Sequence, residues 1–165
     1  MPETRLILLA EDEDDDVLLV QSAFKGAGIL TPLQVVRDGY ETIAYLQGVG
    51  KYANRGEFPL PSVLLLDLQM PRKNGFEVLQ WIRSEPTLRT LRVTVLTGST
   101  HQRDLNKAFE LGANSFVVKP GDFNDLITAF KALHSYWLLT DRSPETHGLS
   151  NPPEPTRPRL RRSRT

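Results

Sequence analysis

Five short apolar runs, separated by stretches of helical period, constrain this chain more than any other feature. Leu6 to Leu9, Leu33 to Val36, Val63 to Leu66, Val93 to Leu96 and Phe116 to Val118 are rich in branched aliphatic residues, and most lack apolar/polar alternation. Runs of that kind suit strands covered on both faces, as in a parallel sheet. Between them lie helical patterns. Val78, Leu79 and Ile82 share one face of the segment from Gly75 to Arg83, and Leu105, Ala108 and Phe109 share one face of the next. Phe123, Leu126, Ile127, Phe130 and Leu133 mark the last helix. A repeated β-α order predicts right-handed crossovers and an open, doubly wound α/β sheet.

Two segments break the rhythm. Residues 48–62, from Gly48 through Arg55-Gly56 to Pro59-Leu60-Pro61, form a long connection between the second helix and the third strand. Residues 140–165 are rich in Pro, Ser and Arg without apolar period, and read as a disordered basic tail. Charge divides the same way. Residues 1–140 hold 14 Lys and Arg against 17 Asp and Glu, whereas residues 141–165 hold 6 against 3. The body therefore lacks the basic surface of a nucleic-acid-binding fold. No apolar run approaches a membrane span, and no charged-then-apolar leader opens the chain. Cysteine is absent, which excludes disulfides and thiol chemistry and fits a cytoplasmic location.

Doubly wound sheets bind ligands beyond the carboxyl ends of their strands. Here those ends carry chemistry: Glu11 and Asp12 after the first strand, Asp67 at the third, Thr97-Gly98-Ser99 at the fourth, Lys119-Pro120 at the fifth. With the first and third strands adjacent, three carboxylates converge, and such a cluster repels itself unless a cation joins it. Its oxygen-only ligands suit Mg²⁺. A carboxylate can also act as a nucleophile and form an acyl phosphate, whose transition state needs positioned cations and donors rather than an acid or base. Lys119 and the Thr97 hydroxyl would supply these, and Gly98 leaves room beside them. Each residue alone has a plainer reading. Thr97 could simply end a strand, Lys119 could lie on the surface, and Glu11 to Asp16 could be the acidic start of a helix. Asp14 to Asp16 are assigned to that plainer role. Asp67 resists it, because it follows four apolar strand residues at the rim of a buried strand.

The ordered set Glu11-Asp12, Asp67, Thr97 and Lys119-Pro120, with Met70-Pro71 and Gly75 after the acceptor, resembles the response-regulator receiver domain over roughly residues 4–139. The resemblance implies a flavodoxin-like five-stranded parallel sheet of order 2-1-3-4-5 and a receiver domain spanning residues 1–139. It implies Asp67 as phosphoacceptor, with Mg²⁺ held by Asp12, Asp67 and the Gln69 backbone carbonyl, and by Glu11 through water. Thr97 and Phe116 would be the switch pair, and the Lys119–Pro120 bond would be cis, a minority state that context must impose.

Within the family, the Gly50-Lys51-Tyr52 connection and a last helix running into Tyr136-Trp137-Leu138-Leu139 are similar to the single-domain regulators paired with bacterial phytochromes. That likeness implies a phytochrome-type histidine kinase as partner. It also implies a homodimer through the surface of helix four, strand five and helix five, with Tyr136, Trp137 and Leu138 exposed at the interface. No output domain and no enzymatic turnover are expected.

Two departures stand out. Glu11 replaces the commoner Asp, and Phe116 lacks the hydroxyl of a Tyr. Three rival readings remain. A phosphorelay intermediate would share the same chemistry. A haloacid-dehalogenase-like phosphatase would need an acid two residues after its nucleophile, where this chain has Gln69. Binding of a nucleic acid or membrane surface by the arginine tail would be weak and salt-sensitive.

Overall fold

The computed structural model describes residues 6–98, 101–119 and 121–140. The basic tail, the Lys119–Pro120 bond and the side chain of Leu138 lie outside the described residues. Strands and helices alternate: β1 (Ile7–Ala10), α1 (Asp14–Gly26), β2 (Leu33–Val36), α2 (Gly39–Gln47), β3 (Val63–Asp67), α3 (Gly75–Ser84), β4 (Arg92–Thr97), α4 (Gln102–Glu110), β5 (Ser115–Val118) and α5 (Phe123–Thr140). The strands form one parallel sheet of order β2-β1-β3-β4-β5, as expected.

The unbroken apolar runs find their reason in the two cores. Along β1 and β3, Leu8, Ala10, Leu64 and Leu66 face one layer, where they meet Val78, Leu79 and Ile82 of α3 and Ala108 of α4. Ile7, Leu9, Val63 and Leu65 face the other, against Val17, Val20 and Phe24 of α1 and Leu126 and Phe130 of α5. Phe24 and Phe130 lock that second layer edge to face, with ring centroids 4.8 Å apart. Each buried Leu or Ile of this kind contributes about 1.5–3 kcal/mol.

Register carries this layout to the site. Ala10 pairs with Leu66, and Asp67 pairs with Leu96. The residues that follow β1 and end β3 therefore emerge side by side at one rim. Local signals set the helices that begin there. Asn74 and Glu77 form a capping box on α3, and the Asp38 side chain accepts from the Glu41 amide at 2.8 Å to start α2. Gly75 is required by a close approach: a Cβ there would run into the Asp67 carbonyl oxygen.

Residues 48–62 are not a loose loop. A 3₁₀ turn (Gly50–Tyr52) buries Tyr52 against Tyr45 of α2, with ring centroids 4.9 Å apart, and against Phe58 at 5.1 Å. Arg55 reaches back to the last turn of α2, donating to the carbonyls of Tyr45 and Leu46 at 2.7 Å each.

Two expectations need correction. Trp137 was expected to be exposed at an interface, but it is 5% exposed and packs into the α1–α5 layer. An 18-residue α5 is long enough to wrap this ring back onto its own domain. Phe109 was placed on the buried face of α4. It is instead 45% exposed, edge to face with Phe116 at 5.4 Å, while Leu105 and Ala108 carry the burial.

Candidate functional site

Glu11 leaves the end of β1 fully buried, Asp67 ends β3 buried, and Thr97 ends β4 fully buried. Asp12 is half-buried beside Glu11. Carboxylate oxygens of Glu11, Asp12 and Asp67 all lie within 4.8 Å of one another. Lys119, one residue past β5, brings its ammonium into this group. Its Nζ lies 3.0 Å from Glu11 Oε2 and 3.6 Å from Asp67 Oδ2. The other Asp67 oxygen, Oδ1, accepts from the Gln69 amide at 3.0 Å. The four strand ends singled out in the sequence thus meet at one rim.

The electrostatics follow from this crowding. Burial, together with a hydrogen bond and repulsion from Asp67, pushes the Glu11 carboxyl up from 4.5 to about 7, against the pull of Lys119. For Lys119, burial opposes the charge, but Asp16, Asp67 and Glu11 together hold the ammonium well above its ordinary range. Among the described residues, one buried side-chain polar atom is left over: Asp12 Oδ1 has no hydrogen-bond partner. An orphaned carboxylate oxygen beside two more acids, all offering hard oxygen donors, fits a divalent cation.

The lysine also shows what the sequence reading missed. Its shortest ion pair is with Asp16 Oδ2, at 2.7 Å, a residue that had been assigned to the solvated start of α1. The available signal was position, since Asp16 falls one helical turn after the Glu11-Asp12 pair. Its neighbour Asp14 matches the plainer reading, making an exposed ion pair with Arg37 at 2.6 Å. Phe116 sits on β5, partly exposed and turned toward Phe109 of α4. Tyr136 is half exposed, with the Arg92 guanidinium 5.8 Å from its ring centroid.

A parallel sheet of this order, with acids beyond β1 and at the end of β3 and a lysine beyond β5, defines the receiver module of two-component signalling. The profile of the response regulator receiver domain matches residues 7–131, and the chain belongs to that family. Within it, the chain is homologous to phytochrome response regulators. It is 38% identical over 136 residues to response regulator Rcp1 of Synechocystis sp., covering 82% of this chain and 90% of the relative.

Solved structures agree. A response regulator in red light signalling of R. palustris, RPA3017, superposes with a TM-score of 0.80 at 36% identity, covering 84% of this chain and 96% of that one. The phosphorylated cyanobacterial phytochrome response regulator RcpA gives 0.75 at 36% identity, over 84% and 96%. The Mn²⁺-bound form of Rcp1 gives 0.73 at 38%, over 84% and 97%. Among the described residues, no helix is long and apolar enough to cross a membrane.

Proposed function

We propose that Asp67 is the phosphoacceptor of a cytoplasmic response regulator, charged by a histidine kinase of the phytochrome type. The observation that carries this reading is the buried Asp67 carboxylate. One of its oxygens is fixed by the Gln69 amide, and the other faces Lys119 beside the orphaned oxygen of Asp12. In the transfer, an Asp67 oxygen forms a bond to phosphorus as the bond from phosphorus to the kinase histidine nitrogen breaks. That nitrogen keeps the electron pair. Lys119 and the Thr97 hydroxyl take phosphoryl oxygens of the product, supplying the fixed charge and donor that such a transition state needs.

Asp12, Asp67 and the Gln69 carbonyl would hold Mg²⁺, with Glu11 acting through water. When bound, the ion neutralises the carboxylates and takes up phosphoryl charge. The relatives support the partner class: RcpA carries a phytochrome response regulator's name and was solved phosphorylated, and Rcp1 was solved with Mn²⁺. Output passes through a biased two-state equilibrium of the α4–β5–α5 surface, with Thr97 and Phe116 as the switch pair and homodimerisation as the readout. Of the interface residues expected from sequence, Tyr136 is half exposed, as are Phe109 and Phe116.

Asp67→Asn tests the assignment. The variant should lose all Mg²⁺-dependent labelling by acetyl phosphate or a cognate kinase, while the parent labels to one phosphoryl group per chain. Persistent labelling of the variant, or sustained turnover of a generic phosphate ester by the parent, would overturn it.

A further inference from the structure

All five helices in this fold carry an acid at their third position, and α1, α2 and α3 use it differently. Glu77 closes the capping box of α3 by accepting from the Asn74 amide at 3.3 Å. Glu41 of α2 accepts from the Arg37 amide at 3.0 Å. Asp16 holds the same place in α1 but does not serve its own helix start. The amide of Glu13, which begins α1, donates to Glu11 Oε1 at 3.3 Å instead. The Asp16 carboxylate turns into the phosphotransfer site, where it makes the shortest of the three ion pairs of Lys119.

We propose that Asp16 is a positioning residue of this site that competes with the incoming phosphoryl group for the Lys119 ammonium. This inference rests on the phosphotransfer reading above. Lys119 is largely buried, so water does not freely replace a lost partner, and the ammonium passes between fixed oxygens. Before transfer it is held by Asp16 and Glu11 and stands off Asp67 by 3.6 Å. Phosphorylation places new anionic oxygens on Asp67, and charge-assisted bonds from Lys119 to them form at the expense of the Asp16 pair. That competition opposes transfer. The chemistry itself is unchanged: an Asp67 oxygen bonds to phosphorus, the phosphorus–oxygen bond of acetyl phosphate breaks, and acetate leaves with the electron pair.

The experiment uses the full chain with saturating Mg²⁺ and acetyl phosphate as donor. Initial labelling rates are read across donor concentration, followed by decay of the acyl phosphate after donor removal. Asp16→Asn should raise labelling efficiency about three- to tenfold, mainly through a lower half-saturating donor concentration, and should lengthen the acyl-phosphate half-life. Asp16→Ala should do the same. Asp15→Asn removes an equivalent charge from the same helix turn without touching Lys119, and should match the parent. In a Lys119→Ala background, Asp16→Asn should have no further effect.

An Asp16→Asn variant within twofold of the parent, or slower, overturns the proposal. So does an equal gain from Asp15→Asn, which would reduce the effect to net charge. Asp67→Asn in parallel separates the two readings: labelling that survives it defeats the acceptor assignment, whereas its loss with no Asp16 effect defeats only the competition.

Discussion

Burial, with the Asp67 carboxylate beside it, pushes the Glu11 carboxyl up to about 7, against the pull of the Lys119 ammonium. The folded value of about 7 stands above the ordinary 4.5, so Glu11 favours folding most at low pH. Below 4.5 the group is protonated in both states and costs nothing. Through the window from 4.5 to about 7 the unfolded chain ionises first, and stability is lost as pH rises. Metal-free protein should show that loss in urea titrations at a series of pH values. Glu11→Gln should flatten it and exceed the parent at pH 8 by something on the order of 1–3 kcal/mol. A parent profile that rises across this window for the group would refute the assignment.

At this scale the sequence was legible wherever a residue's place follows from the strand it ends, as for Glu11, Asp67, Thr97 and Lys119. It was not legible for Asp16. A helix dipole alone justifies an acid in that first turn, so nothing local marks the one acid that turns toward a lysine 103 positions away.

Elements obeyed their patterns where burial is two-sided and departed from them where one side is open. Every apolar run became a strand, because the helical layers cover both faces of the central sheet. The face of α4 was misjudged at Phe109 because its ring answers to Phe116 on the edge strand β5, a contact no helical period encodes. Trp137 was misjudged for a related reason: the far end of α5 meets the α1 layer only once the fold is assembled.

The long connection after α2 is the clearest case of order without a pattern. Its stability rests on Arg55, which donates to the Tyr45 and Leu46 carbonyls in the last turn of α2, and on the Tyr45, Tyr52 and Phe58 cluster. Arg55→Ala should therefore cost about 1–3 kcal/mol in urea denaturation. The labelling rate at Asp67 should stay within about twofold of the parent, since no Arg55 contact reaches the site. An unchanged denaturation midpoint would show that the connection owes its order to the aromatic rings alone.

Across the whole molecule, one rim gathers residues from β1, β3, β5 and α1, elements that belong to both layers of the core. Binding at that rim therefore acts on the global folding equilibrium rather than on a single loop. A ligand that binds only the folded state, at a hundred times its dissociation constant, adds about 2.7 kcal/mol. For a domain of this size that corresponds to a rise in Tm on the order of 5–10 °C. Saturating Mg²⁺ should produce such a rise in differential scanning calorimetry, and chelation should reverse it.

Asp12 supplies the control. Its Oδ1 is buried without a partner, a cost the metal-free protein bears and a bound cation relieves. Asp12→Asn should thus leave the metal-free protein at least as stable as the parent, yet lose most of the Mg²⁺-induced rise. A variant that is destabilised without metal but still gains the full rise would show that the orphaned oxygen is satisfied some other way, and that the cation is held without Asp12.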